Sequence, residues 1–171
     1  MALSFETSRL NVIEIEDGFA LSERTSLLER IPDILTPSVV ENLPPHFHDV
    51  ASVESAEVWL ERMLSESRLL QIKSENSEII GFLFASVENG SYAHIGYLLA
   101  EEYWGKGLAS ELLKGFIAKV TETEQWLKLV GGVDQSNVAS SGLLKKSGFV
   151  EQVANENGVV FYEYTIPRPQ A

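Results

Sequence analysis

Ile95-Gly96-Tyr97-Leu98-Leu99-Ala100-Glu101-Glu102-Tyr103-Trp104-Gly105-Lys106-Gly107-Leu108-Ala109 decides the fold of this 171-residue chain. An alternating apolar stretch runs into a glycine-rich turn, and the turn opens an amphipathic run from Gly107 to Val120. That run carries Leu108, Leu112, Leu113, Phe116, Ile117 and Val120 at helical spacing. The first turn of a helix holds backbone N–H groups without intrahelical partners and the positive end of the dipole. Glycines at 105 and 107 let a phosphate reach that backbone without a Cβ in the way. Ala109 and Ser110 are small and keep the turn open. A strand, a glycine turn and a helix in this order make a pyrophosphate cradle, although a tight turn alone produces the same pattern.

Two nucleotide motifs fail here. A phosphate-binding Walker loop needs Lys and Ser/Thr after its second glycine, and Leu108 follows Gly107. The dinucleotide fingerprint wants a third glycine where Ser110 stands.

Working outward, Tyr92–Leu99 is preceded by Asn89-Gly90, a hairpin signal, and by strand-like Arg68–Lys73 and Ile79–Val87. Arg9–Ile15 alternates and reads as a strand. Ala20 to Ile31 reads as a helix stopped by Pro32, and Thr36 to Val50 reads mostly as loop. Ser52 caps a helix with Ala56, Leu60, Met63 and Leu64 in one stripe. Beyond the central segment come a strand at Leu127–Val133 and a helix at Asn137–Lys146 that stops at Gly148. Two closing strands, Phe149–Val153 and Val159–Ile166, are joined through Asn155–Gly158. The expectation is one α/β domain over residues 1–171.

Thirteen basic residues face 25 acidic ones, a net charge of −12, and there is no cysteine. That excludes disulfides, thiolate metal sites and a cysteinyl acyl intermediate. Residues 1–60 hold 11 acidic and three basic side chains, so two thirds of the excess lies in the first third of the chain. Such a chain has no electrostatic footprint for nucleic acid, and its excess acid either favours a cationic ligand or only keeps the protein in solution. No apolar run approaches the ~20 residues of a membrane helix, and Met1 to Arg9 lack a signal core. A cytoplasmic protein without a membrane partner is expected. His46 and His48 with Asp49 lack a third ligand at metal spacing, so no metal is expected.

The segment Ile95–Ala109 resembles motif A of the GNAT superfamily of N-acetyltransferases. Asn137-Val-Ala-Ser140, ending in Gly148-Phe149, resembles the family's second motif. Thr7-Ser8-Arg9-Leu10 resembles the start of the branch that acetylates N-termini of ribosomal proteins, in which Trp104 is a familiar variant. The resemblance implies a mixed, mostly antiparallel sheet flanked by about four helices. It implies acetyl-CoA as donor and transfer to a primary amine by direct attack in a ternary complex. The acceptor would be a protein N-terminus, a polyamine or another cationic small amine, and the protein a monomer or homodimer. The alternative is a non-catalytic acyl-CoA-binding or regulatory domain.

Carried over by position, the backbone N–H groups of Gly105, Lys106, Gly107, Leu108 and Ala109 would hold the pyrophosphate. Leu99 would present backbone groups to the pantetheine arm, and Asn137 would stand beside it. Ser140 would lie near the leaving sulfur, although a serine at a helix start is as often structural. Lys145 and Lys146 would be a solvated face or approach the adenosine phosphates. Phe47 and His48 would shape the acceptor pocket. The chain departs from the pattern twice: Leu144 stands where many relatives carry a tyrosine acid, and His94 stands where the branch carries a glutamate. A histidine can serve as base near neutral pH, or it can be an ordinary strand residue. Glu101 and Glu102 are alternatives for the base or solvated acids.

Overall fold

The computed structural model describes residues 2–16 and 20–168. Among them, eight strands form one mixed sheet, β1 (Ser4–Glu6), β2 (Asn11–Glu14), β3 (Arg68–Lys73), β4 (Ile79–Glu88), β5 (Tyr92–Leu99), β6 (Lys128–Asp134), β7 (Val150–Glu156) and β8 (Val159–Thr165). The strand order is β1-β2-β3-β4-β5-β6-β8-β7. The helices are α1 (Leu21–Ile34), α2 (Pro37–Val40), α3 (Val53–Glu66), α4 (Leu108–Thr123) and α5 (Val138–Lys146). This is the expected mixed α/β sheet fold, mostly antiparallel, with one parallel pair between β5 and β6. Parallel neighbours need a crossover, and α4 supplies it between those two strands. The chain divides into two compact units, residues 1–84 with 97–108, and residues 85–96 with 109–171.

In the first unit, β2 pairs antiparallel with β3 in a register that sets Val12 opposite Ile72, both fully buried. The Glu14 carboxylate accepts from the Leu3 N–H at 2.8 Å and from Arg68 Nη2 at 2.7 Å and Nε at 3.1 Å. Burial pushes its carboxyl up, but the Arg68 fork and the Leu3 N–H outweigh burial and hold it below the usual carboxylate value. α3 begins with a reciprocal cap. Ser52 Oγ accepts from the Ser55 N–H at 3.1 Å, and Ser55 Oγ accepts from the Ser52 N–H at 3.0 Å. Leu60 and Met63 point inward as expected, together with Trp59, whose ring lies 5.2 Å from that of Phe82.

Two expectations change here. Pro32 does not stop α1, which continues to Ile34. Ile31 and Ile34 are fully buried and the Leu35 N–H still reaches the Ile31 carbonyl at 3.0 Å, so core packing carries the helix past the missing proline donor. The stretch Thr36 to Val50 contains α2 and a 3₁₀ turn at Pro45–Phe47, each with proline in its first turn.

In the second unit, the turn between β4 and β5 has Asn89 at φ 54° and Gly90 at φ 70°, closed by the Ser91 N–H on the Glu88 carbonyl at 3.1 Å. Both central residues are left-handed, as a tight hairpin requires. α5 ends with the Phe149 N–H on the Leu144 carbonyl at 2.9 Å and the Gly148 N–H on the Lys145 carbonyl at 3.1 Å. With Gly148 at φ 97°, this is a Schellman ending. The β7–β8 connection is only Asn157-Gly158, both at positive φ, so the strands run longer than the expected Asn155–Gly158 loop allows.

Candidate active site

The first unit carries the end of β5 and the glycine turn. Along β5 the pattern places Ala93 and Ile95 inside and Tyr92 and His94 outside, and Leu98 and Leu99 are buried at its end. A Cβ added to Gly81 on β4 would overlap the Leu98 carbonyl oxygen and come within 3.1 Å of Leu99 Cα. Only glycine permits that approach. The Leu99 carbonyl accepts from the Trp104 indole N–H at 2.8 Å, and the Ala100 N–H reaches the Ile80 carbonyl at 2.7 Å. Glu101 and Glu102 lie exposed in a 3₁₀ turn, with Glu102 Oε1 3.6 Å from Arg30 Nη2.

Gly105 and Gly107 follow, at φ 72° and 77°. These angles are a second reason for glycine at both positions, which spacing alone does not reveal. Apart from its own chain neighbours, no heavy atom of the described residues lies within 4 Å of a Cβ placed on Gly105, so the turn is open on that side. At Gly107 the neighbour is Arg9 Nη2, 3.6 Å away, and Arg9 Nη1 donates to the Lys106 carbonyl at 2.9 Å. Lys106 Nζ sits 5.5 Å from the centre of the Tyr103 ring. Leu108 is buried and starts α4, so its N–H and that of Ala109 belong to the unpartnered first turn. The Arg9 contact joins residues 97 positions apart, and no pattern in the sequence signals it.

The second unit carries the remaining candidates. Asn137 caps α5, its Oδ1 accepting from the Ser140 N–H at 3.3 Å. Ser140 is half-buried in the first turn of α5. His94 is exposed, with Nε2 3.1 Å from Glu88 Oε2 across the hairpin. A carboxylate accepts, so Nε2 carries the proton and Nδ1 the lone pair when the ring is neutral. Leu144 is 2% exposed and packs over Gly131, where an added Cβ would meet its Cδ1 at 3.2 Å. Lys145 pairs with Glu151 at 3.5 Å on the surface.

The histidines of the first unit have structural partners. His48 Nε2 lies 2.9 Å from the Leu43 carbonyl, and Phe47 is buried against Trp59 and Phe84 with centroids at 5.7 and 5.5 Å. Burial holds the His46 imidazole below its usual value. Among the described residues no group of three or more His, Asp or Glu could hold a metal ion. No described helix is long and apolar enough to cross a membrane.

A strand, a left-handed glycine turn and a helix start in this order are found in a class of mixed α/β folds, and such a helix start can take an anion on its backbone N–H groups. The chain belongs to the acetyltransferase (GNAT) domain family, whose model matches residues 28–150. A search of curated proteins finds no match. Among solved structures, the chain is similar to the ribosomal L7/L12 alpha-N-protein acetyltransferase RimL in complex with coenzyme A. That pair shares 18% identity over 96% of this chain and 98% of the other, with a TM-score of 0.76. It is similar to the ribosomal-protein-S5-alanine acetyltransferase from Vibrio fischeri, at 18% identity, 96% and 97% coverage and a TM-score of 0.73. The microcin C7 self-immunity acetyltransferase MccE, in complex with acetyl-CoA and AMP, aligns at 18% identity over 93% of each chain with a TM-score of 0.73. At these identities the likeness is one of fold.

Proposed function

We propose that this protein transfers an acetyl group from acetyl-CoA to a primary amine, by direct attack in a ternary complex. The carrying observation is the turn at Gly105 and Gly107, left-handed at both glycines and open at the first, leading into α4. The named ligands of the similar structures, coenzyme A and acetyl-CoA, support the same donor. The donor fits the residues present, because a Cβ at 105 would fill space the structure leaves open. When bound, acetyl-CoA supplies the thioester whose carbonyl the amine attacks. The backbone N–H groups of Gly105, Lys106, Gly107, Leu108 and Ala109 hold its diphosphate.

Further roles are assigned residue by residue. Leu99 presents its backbone groups to the pantetheine arm, with one lone pair of its carbonyl already taken by the Trp104 indole N–H. Asn137 spends its oxygen on the Ser140 N–H and keeps its side-chain NH₂ for the same arm. The Ser140 hydroxyl supplies a proton toward the departing thiolate. His94 accepts the amine proton at Nδ1, with Glu88 steadying the imidazolium that forms. The acceptor is a cationic amine, either a protein N-terminus, as the names of two similar structures suggest, or a polyamine or other small amine. Leu144 lies in the core and cannot replace the tyrosine acid of relatives, which favours as second reading a domain that binds acyl-CoA without turnover.

Thermal denaturation with acetyl-CoA, NAD, ATP or buffer tests the donor. A ligand at ~100 times its Kd adds about 2.7 kcal/mol and raises Tm by roughly 5–10 °C. A shift with acetyl-CoA alone is expected, and no shift, or a larger one with NAD or ATP, overturns the reading. Thiol release over a panel of amines then separates the enzyme from the binding domain.

A further inference from the structure

Arg9 stands in the turn between β1 and β2, which is closed by the Thr7 N–H on the Leu10 carbonyl at 2.9 Å and the Leu10 N–H on Thr7 Oγ1 at 3.1 Å. From there its side chain reaches the glycine turn, Nη1 donating to the Lys106 carbonyl at 2.9 Å. The peptide unit between Lys106 and Gly107 is trans and planar, so its C=O and N–H point in opposite directions. Tying the carbonyl to Arg9 therefore turns the Gly107 N–H to the far side of the turn. Gly107 brings no Cβ to oppose rotation of this peptide, and the space beside Gly105 is open. A flipped peptide would aim its carbonyl, the negative end, at an anion bound there.

We propose that Arg9 is a positioning residue for the acetyl donor, fixing the Lys106–Gly107 peptide so that the Gly107 N–H faces the diphosphate. The inference rests on the acetyl-CoA reading above. The guanidinium suits the task because it stays charged and its fork is rigid. A cationic donor on the carbonyl also polarises the peptide and strengthens its N–H as a donor. Arg9 acts through the backbone, so its removal weakens recognition of the diphosphate and leaves recognition of the thioester and pantetheine unchanged.

The test compares two donors on wild type, Arg9→Ala, Arg9→Gln and Arg9→Lys. Acetyl-CoA is titrated calorimetrically, and S-acetylpantetheine, which lacks the diphosphate, by protein-detected NMR. The expected result for Arg9→Ala is about a tenfold weaker Kd for acetyl-CoA, the scale of one charge-assisted hydrogen bond, with S-acetylpantetheine unchanged. Arg9→Lys recovers part of the loss and Arg9→Gln less, and the Gly107 amide resonance shifts in the order of the losses. Should Arg9→Ala not fold, the Lys and Gln variants carry the same comparison. Unchanged acetyl-CoA affinity, or equal losses for both donors, overturns the role of Arg9 while leaving the donor reading standing. Wild-type protein that binds S-acetylpantetheine but shows no preference for acetyl-CoA overturns both.

Discussion

Asn137 closes the β6–α5 connection with its side-chain oxygen on the Ser140 N–H. An N-cap of this kind is worth ~1 kcal/mol, so Asn137→Ala should lower Tm by about 2–4 °C in a domain of this length. Asn137→Asp keeps the cap but loses the NH₂ group. If the side chain also serves the pantetheine arm, the Asp variant keeps its Tm and loses acetyl-CoA affinity in calorimetry. Equal affinities for wild type and Asn137→Asp would leave Asn137 a cap only. At this scale the sequence shows part of the local geometry. The missing Cβ at Gly105 and Gly107 and the cap at Asn137 are legible because their chemistry is local, whereas the left-handed angles of the two glycines are not. The Glu88 partner of His94 is not legible either, because it depends on the register across a hairpin. Nor is the Trp104 tie to Leu99, a side chain satisfying one carbonyl among many.

Gly81 is where β4 admits the end of β5. A methyl there would collide with the Leu98 backbone carbonyl, which cannot swing aside as a side chain does. Gly81→Ala should therefore cost about 3 kcal/mol in urea unfolding, at the upper end of overpacking effects, and weaken acetyl-CoA binding through displacement of Leu99. A tolerated alanine would contradict the close approach. The C-terminal end of α4 shows another dependence between elements. Its last turn has no basic residue. Arg168 supplies the charge instead, donating through Nη1 to the Thr121 carbonyl at 2.7 Å and through Nη2 to Glu124 at 2.6 Å and Trp126 at 2.8 Å. A cation on the carbonyls at and just past the helix end stabilises it, so Arg168→Ala should lower stability by about 2 kcal/mol in the same assay. β3, β5 and the α5 ending follow the sequence pattern closely, since alternation and a glycine C′ residue are strong local signals. β1 is three residues long, too short to show alternation, and α1 passes Pro32 only because Ile34 is buried in the core.

For the whole molecule the dominant quantity is a net charge of −12, with two thirds of the excess in residues 1–60. This field acts on the two proposed substrates with opposite sign. A cationic amine is drawn toward the protein, whereas acetyl-CoA, an anion, is repelled until it meets the local cations Arg9 and Lys106 at the glycine turn. Salt screens both effects as the Debye length shrinks from about 30 Å at ~0.01 M to about 8 Å at ~0.15 M. Over that range kcat/KM for a polyamine should fall several-fold, while kcat/KM for acetyl-CoA should hold or rise. A singly charged amine should show a weaker fall than a triamine, because the steering energy scales with the acceptor's charge. Were the excess acid only a means of staying in solution, the acceptor would show no salt dependence that grows with its charge. A parallel fall for both substrates would instead point to a general effect of salt on the folded protein, and unfolding measured at the same two ionic strengths separates that case from steering.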